Sequence, residues 1–200
     1  VLLFQSNLFA MRGTTVNGNA AGTGGGIYVV GLPDGPVFDR VAIVSNRAVG
    51  FAGLYVQVSG TTLMTNGCSV AGNVAVGDVG GVYFGGASLD MHGGEVSGNV
   101  ASNRAAGIAV EVGRIRCVDV DVCNNQAYAN GMIQGYGGAF YAFSADVTLE
   151  AAGRTVSVTN NSASQGAAFW LLPPANCSVR GLGGQVIIAG RDCARMKDDE

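Results

Sequence analysis

The residues best suited to chemistry in this 200-residue chain are acids. Val118-Asp-Val-Asp-Val122 alternates two carboxylates with three valines. On an extended strand Asp119 and Asp121 would face out while Val118, Val120 and Val122 face in. Superposing successive repeats of the chain sets Glu95 beside Asp121 and Asp90 beside Arg116, each pair 26 residues apart. Carboxylates stacked on adjacent strands lie ~5 Å apart, close enough to share a calcium ion or to serve as a glycosidase pair. The plainer expectation is an outward polar strand carrying one cross-strand ion pair, which at a surface contributes under ~1 kcal/mol. We adopt the plainer reading: no catalytic residues, with Glu95, Asp119 and Asp121 as the runner-up set.

Other chemical constellations are weaker. His92, in Met91-His-Gly-Gly, has no partner at metal-ligand spacing, and Gly24-Gly25-Gly26 opens no phosphate-binding motif. Cys117 and Cys123 lack a Cys-x-x-Cys spacing, so zinc is not expected. No cofactor is predicted, calcium being the one ion considered. Five cysteines is an odd number, so one at least has no partner within the chain. The pair predicted to bridge is Cys177–Cys193, closing a loop of ~16 residues worth ~3 kcal/mol in the chain-entropy picture. Cys68 should be buried and free. Cys117 and Cys123 would sit ~20 Å apart on an extended strand, too far to pair unless Cys123 begins a turn.

What must position these groups is a repeat. The phrase apolar-x-x-Asn-x-Ala occurs six times, with ladder asparagines Asn19, Asn46, Asn73, Asn99, Asn125 and Asn161 spaced by 27, 27, 26, 26 and 36 residues. The long interval holds an inserted stretch, Tyr128–Tyr136. A second phrase of two small residues, an aliphatic or Ala, and usually an aromatic follows each first one. Its copies end at Tyr28, Tyr55, Tyr83, Ala109, Phe140 and Phe169. Segments around both phrases are short, rich in Val, Ile and Tyr, and alternate in polarity, which is strand patterning. No coil of this size closes its own core, so coils must stack. The predicted fold is all-β, a right-handed parallel β-helix of six to seven coils, 26–28 residues each and about 30 Å tall. Leucine-rich repeats share the Asn phrase and the length, but leucine is scarce and no helical half-unit follows.

Within that frame Ile27, Leu54, Val82 and Ile108 form one interior column, thinned later by Ala139 and Ala168. Val16, Ile43, Val70, Val96, Val122 and Val158 form another. The asparagines tolerate left-handed backbone angles and can bond the equivalent amide one coil away. The row Tyr28, Tyr55, Tyr83, Phe140 and Phe169 should face outward as an interaction strip, unless a bend or a covering loop buries it. Residues 1–9 read as an irregular lead-in or preceding coil, 10–172 as the repeats, 173–194 as a terminal coil or cap holding the cysteine pair, and 195–200 as a charged tail. The start at Val1 and the missing signal pattern suggest part of something longer.

Gly25-Gly26-Ile27, Gly80-Gly81-Val82 and Gly137-Gly138-Ala139, alternating with apolar-x-x-Asn, resemble the repeats of polymorphic outer membrane proteins over about residues 10–172. Those repeats belong to the pectin-lyase-like right-handed β-helix superfamily. The resemblance implies that fold and suggests a surface or adhesive role. The family usually has Phe where the Asn phrase here begins with Val or Ile.

Composition narrows the function classes. Only 12% of residues are charged, the formal net charge is −3 and 48% are hydrophobic. That excludes intrinsic disorder and leaves no basic footprint for nucleic acid. No apolar run approaches the ~18 residues of a membrane span, so no membrane insertion is expected from this segment. The predicted function is a non-catalytic structural or adhesive segment of a larger secreted, cell-surface or appendage protein. Its partners would be other domains of the same chain, other surface proteins and glycans. The alternative is an extracellular polysaccharide lyase or hydrolase using the outward carboxylates. An ice-binding solenoid would need a flat threonine row, and Thr14, Thr61, Thr62 and Thr65 do not repeat in register. The sequons at Asn160 and Asn176 permit N-glycans in a eukaryotic host.

Overall fold

A computed structural model describes residues 1–4, 9–129 and 134–189. The described residues contain strands and no helix. They form a parallel β-solenoid whose coils give strands to three sheets. The long sheet runs through seven coils: Leu2–Phe4, Ile27–Val30, Leu54–Thr65, Val82–His92, Ile108–Val118, Phe140–Phe143 and Phe169–Leu172. Further strands extend it, from Ala10–Arg12 and Val37–Asp39 to Ala145–Ala151 and Asn176–Gly181. The second sheet carries the apolar end of each Asn phrase, and the third is made of its last two residues, such as Val74–Ala75 and Val100–Ala101.

The second-sheet column is the expected one. Val16, Ile43, Val70, Val96, Val122 and Val158 stand in register, and Ile188 continues them. The long-sheet column departs from expectation after Ile108. Its register continues into Phe140 and Phe169, not into Ala139 and Ala168. Gly137 and Gly166 take the left-handed backbone that Gly24 takes in the first copy. Each later triplet is therefore shifted by one place, and Ala139 stands where Gly26 does. That position is tight: a Cβ at Gly81 would come 2.3 Å from the Gly107 carbonyl oxygen of the next coil.

The interior ladder asparagines are saturated with hydrogen bonds. Asn99 Nδ2 donates to Val70 O at 2.9 Å on one neighbouring coil and to Asn125 Oδ1 at 3.0 Å on the other. Its Oδ1 accepts from the backbone N and Nδ2 of Asn73. The pattern repeats along the stack, and Asn46, Asn73, Asn99 and Asn125 are wholly buried. The left-handed angle was expected at the asparagine itself but falls one residue earlier, on Gly18, Ser45, Gly72, Gly98, Asn124 and Asn160. This makes the corner, and the ladder side chain then turns inward to satisfy it.

Stacking extends past the phrases that announced it. Leu2–Phe4 pairs with Tyr28–Val30, so the chain start belongs to a preceding coil. Asn176–Gly181 and Gln185–Ala189 pair as strands on the coil before them. Residues 190–200, including Cys193 and the 195–200 tail, lie outside the described residues. Cys68, Cys117, Cys123 and Cys177 are all free thiols. Cys68 is buried as expected, whereas the Cys177–Cys193 bridge finds no support: Cys177 stands in register with interior Val147, and its intended partner is not described.

Burial decides thiol reactivity. It pushes the Cys117 thiol up to about 12 and the Cys177 thiol to about 11. Cys68 and Cys123 are raised as well, chiefly by burial. These shifts favour the neutral form in the folded chain, so their stabilisation is present below the unfolded value of 9.0. It is lost as pH rises beyond that. At pH 8 Cys117 is held as the neutral thiol. Native Cys117 should therefore resist iodoacetamide while half-buried Cys123 reacts first, with rates rising about tenfold per pH unit. Mass mapping of labelled peptides reads this directly, and rapid native labelling of Cys117 at pH 8 would contradict its interior placement.

Candidate functional site

The acidic residues are brought near one another, but each already has structural work. Glu95 and Asp121 are register partners on the second sheet, as aligned. Asp119 and Asp121, however, do not share a strand. Asp119 adopts φ 54° at the corner between Ile108–Val118 and Asp121–Cys123. The valine alternation survives this corner, since Val118, Val120 and Val122 remain buried. Asp119 accepts from the Ala152 backbone N at 2.8 Å. Asp121 accepts from the Ser157 backbone N at 2.7 Å and from Arg154 at 2.9 Å. Glu95 accepts from the Ser69 hydroxyl at 3.0 Å. Asp119 and Asp121 pin the turn of the following coil, and Glu95 ties its strand to the coil before it.

Asp90 and Arg116 are in register, yet Arg116 spends its guanidinium elsewhere. Its Nε donates to Glu150 at 3.1 Å, with Arg180 3.9 Å from the other carboxylate oxygen. This hydrogen bond and charge hold the nearly buried Glu150 carboxyl below the usual range. Asp90 accepts from Ser88 instead. His92 stands in register with Val118 on this face. Among the described residues no three of His, Cys, Asp and Glu converge to hold a metal ion.

The aromatic row is two different things. Tyr28, Tyr55 and Tyr83 are in register and stack face to face, at 4.3 and 4.5 Å between ring centres. They lie on the outer face of the long sheet, but Tyr55 and Tyr83 are only 8% and 6% exposed. Phe51 covers Tyr55 edge-on and Tyr83 at a tilt, and Val79 and Ala105 complete the cover. Burial pushes the Tyr55 hydroxyl up to about 12 and raises that of Tyr83 as well, which donates a hydrogen bond to Glu111 at 2.7 Å. Phe140 and Phe169 do not join this row. They stack in the interior column at 5.1 Å, and the outer row passes through Ala109 to Tyr141 and Trp170.

That continuation has the form of a site. The segment returning from the third sheet lays Asn103 and Arg104 beside the row. Arg104 pairs with Glu111 and stands 3.8 Å from Asp78, to which Asn103 donates at 2.6 Å. One coil on, Tyr136 packs against Trp170 at 5.1 Å with the rings tilted by 35°. Between these groups and Tyr141 and Gln165 opens a cleft of about 290 Å³. The repeat pattern does not reveal it, because the register slip at Gly137 hides Tyr141 and Trp170. The available signal was the adjacent pairs Phe140-Tyr141 and Phe169-Trp170. The sequon residues Asn160 and Asn176 are exposed, Asn176 donating to Asp146.

These features define a parallel β-solenoid with an aromatic and polar cleft on its longest sheet. Comparison with known proteins finds no matching family model, no matching curated protein and no matching solved structure.

Proposed function

We propose that this chain is a non-catalytic structural or adhesive segment of a larger secreted or cell-surface protein. We further propose that its coils are of the right-handed pectin-lyase-like kind. The observation that carries the reading is the use made of Glu95, Asp119 and Asp121. Each accepts a hydrogen bond from a neighbouring coil, so the residues best placed for hydrolysis serve instead to fasten the stack. The saturated asparagine ladder has the same effect, giving a stiff rod on which side chains keep fixed spacing. The partner face moves from the expected Tyr28–Phe169 row to its half-buried end at Tyr141 and Trp170. Partners are further domains of the same chain, other surface or appendage proteins, and glycans.

The test separates attachment from cleavage. The chain is incubated with polygalacturonate and with neutral glucans, with and without calcium, and new reducing ends are measured. Beads coated with the chain are scored for attachment to the same polymers. Attachment without new ends is the expected result. Cleavage that disappears in an Asp119→Asn, Asp121→Asn variant would make the carboxylates catalytic and the reading wrong.

A further inference from the structure

We propose that the cleft between Tyr141 and the Tyr136–Trp170 ring pair is a subsite for one unit of a neutral glycan. This rests on the adhesive reading above and narrows it to a ligand class. Size is the first argument. At about 290 Å³ the cleft lies just below the ~300–1,000 Å³ usual for small-molecule sites. It suits a single ring better than an extended peptide.

The lining is the second argument. Two aromatic rings tilted by 35° present non-parallel apolar faces, and the C–H face of a pyranose packs on such surfaces. Asn103 and Gln165 have their amide nitrogens engaged by Asp78 and Gln134. They retain carbonyl oxygens as acceptors for sugar hydroxyls. All of these groups are mounted on coils fixed by backbone pairing, as in Tyr136 N donating to Asn103 O at 2.9 Å, so little order would have to be created on binding.

Charge is the third, and it selects the kind of sugar. Arg104 is the cation lining the cleft, but it is committed to Glu111 and lies close to Asp78. One positive and two negative charges sum to −1 at this edge. A uronate or a phosphate would meet a field of its own sign. An uncharged hexose gives up no charge on entry and meets no repulsion.

Trp170 is the single tryptophan of the chain, so its emission reports the cleft alone. The chain is titrated with the methyl glycosides of glucose, galactose, mannose and N-acetylglucosamine, and with galacturonate. At least one neutral glycoside should give a saturable emission change at millimolar concentration, with galacturonate at least about tenfold weaker. Tyr136→Ala should weaken binding about tenfold, the equivalent of a lost ring contact of ~1.4 kcal/mol. Gln165→Ala, a change at the rim that leaves the coils intact, should weaken it severalfold with an unchanged melting temperature. A silent Trp170 with every neutral glycoside overturns the assignment. So does galacturonate binding equally well, or neutral binding that neither variant alters. Attachment of coated beads with a silent Trp170 would leave the adhesive reading standing and place contact elsewhere. New reducing ends with a responsive Trp170 would retain the subsite and overturn the non-catalytic reading.

Discussion

Asn99→Ala should lower the melting temperature by about 10 °C, whereas Asn19→Ala should lower it by only a few degrees. The two residues have the same role in the repeat and differ in position along the stack. Asn99 is fully buried and uses all of its hydrogen-bonding capacity. Truncation orphans the Asn73 backbone N–H and the Val70 carbonyl, each at about 1–3 kcal/mol in a dry interior. A total of about 3–5 kcal/mol at ~2–4 °C per kcal/mol gives the expected fall. Asn19 begins the ladder, is exposed, and only donates to Asn46 Oδ1. Water can replace what its loss removes, leaving a cost under about 1.5 kcal/mol. Thermal melts of both variants check this. Equal losses would mean that the ladder contributes through corner conformation alone.

The ladder was legible because an asparagine recurring at a near-constant interval, each time three places after an apolar residue, marks the same corner of every coil. The second-sheet column followed from it by counting, and so did the Glu95–Asp121 register. What escaped the sequence was backbone handedness. Gly25-Gly26-Ile27 and Gly137-Gly138-Ala139 look alike as strings, yet the left-handed residue, Gly24, precedes the small pair in one and is its first member, Gly137, in the other. Aligning on the glycine pair therefore misplaced Phe140 and Phe169 by one position. A one-residue slip exchanges inside for outside on a strand. The same blindness merged Asp119 and Asp121 into one strand. A corner at φ 54° preserved the alternation of buried valines, so burial was right although the strand was not. The Arg104–Glu111 contact depends on how a loop returns from the third sheet to the long one, and no periodicity encodes that path.

Handedness also sets the last expected result. Gly93→Ala and Gly94→Ala change neighbouring residues at the corner between the long and second sheets, and their costs should differ severalfold. Gly93 has φ 68°, and a Cβ there would meet Gly67 N at 3.5 Å, an ordinary contact. Alanine in this left-handed well costs about 1–2 kcal/mol. Gly94 has φ 94°, and its Cβ would lie 2.0 Å from the Cys68 carbonyl oxygen. That oxygen belongs to the coil below, where Cys68 and Gly94 are register partners, so it cannot move without opening the second sheet. Backbone strain and overpacking, each about 1–3 kcal/mol, then act together. Gly94→Ala should lose about 4 kcal/mol, or about 8–16 °C in melting temperature, while Gly93→Ala loses about a third of that. Because each coil rests on its neighbours, the damage should be greatest at the second-sheet amides near Cys68 and Val96. Hydrogen exchange resolved by residue would show it. Similar melting temperatures for the two variants would place the steric limit of this corner somewhere other than Gly94.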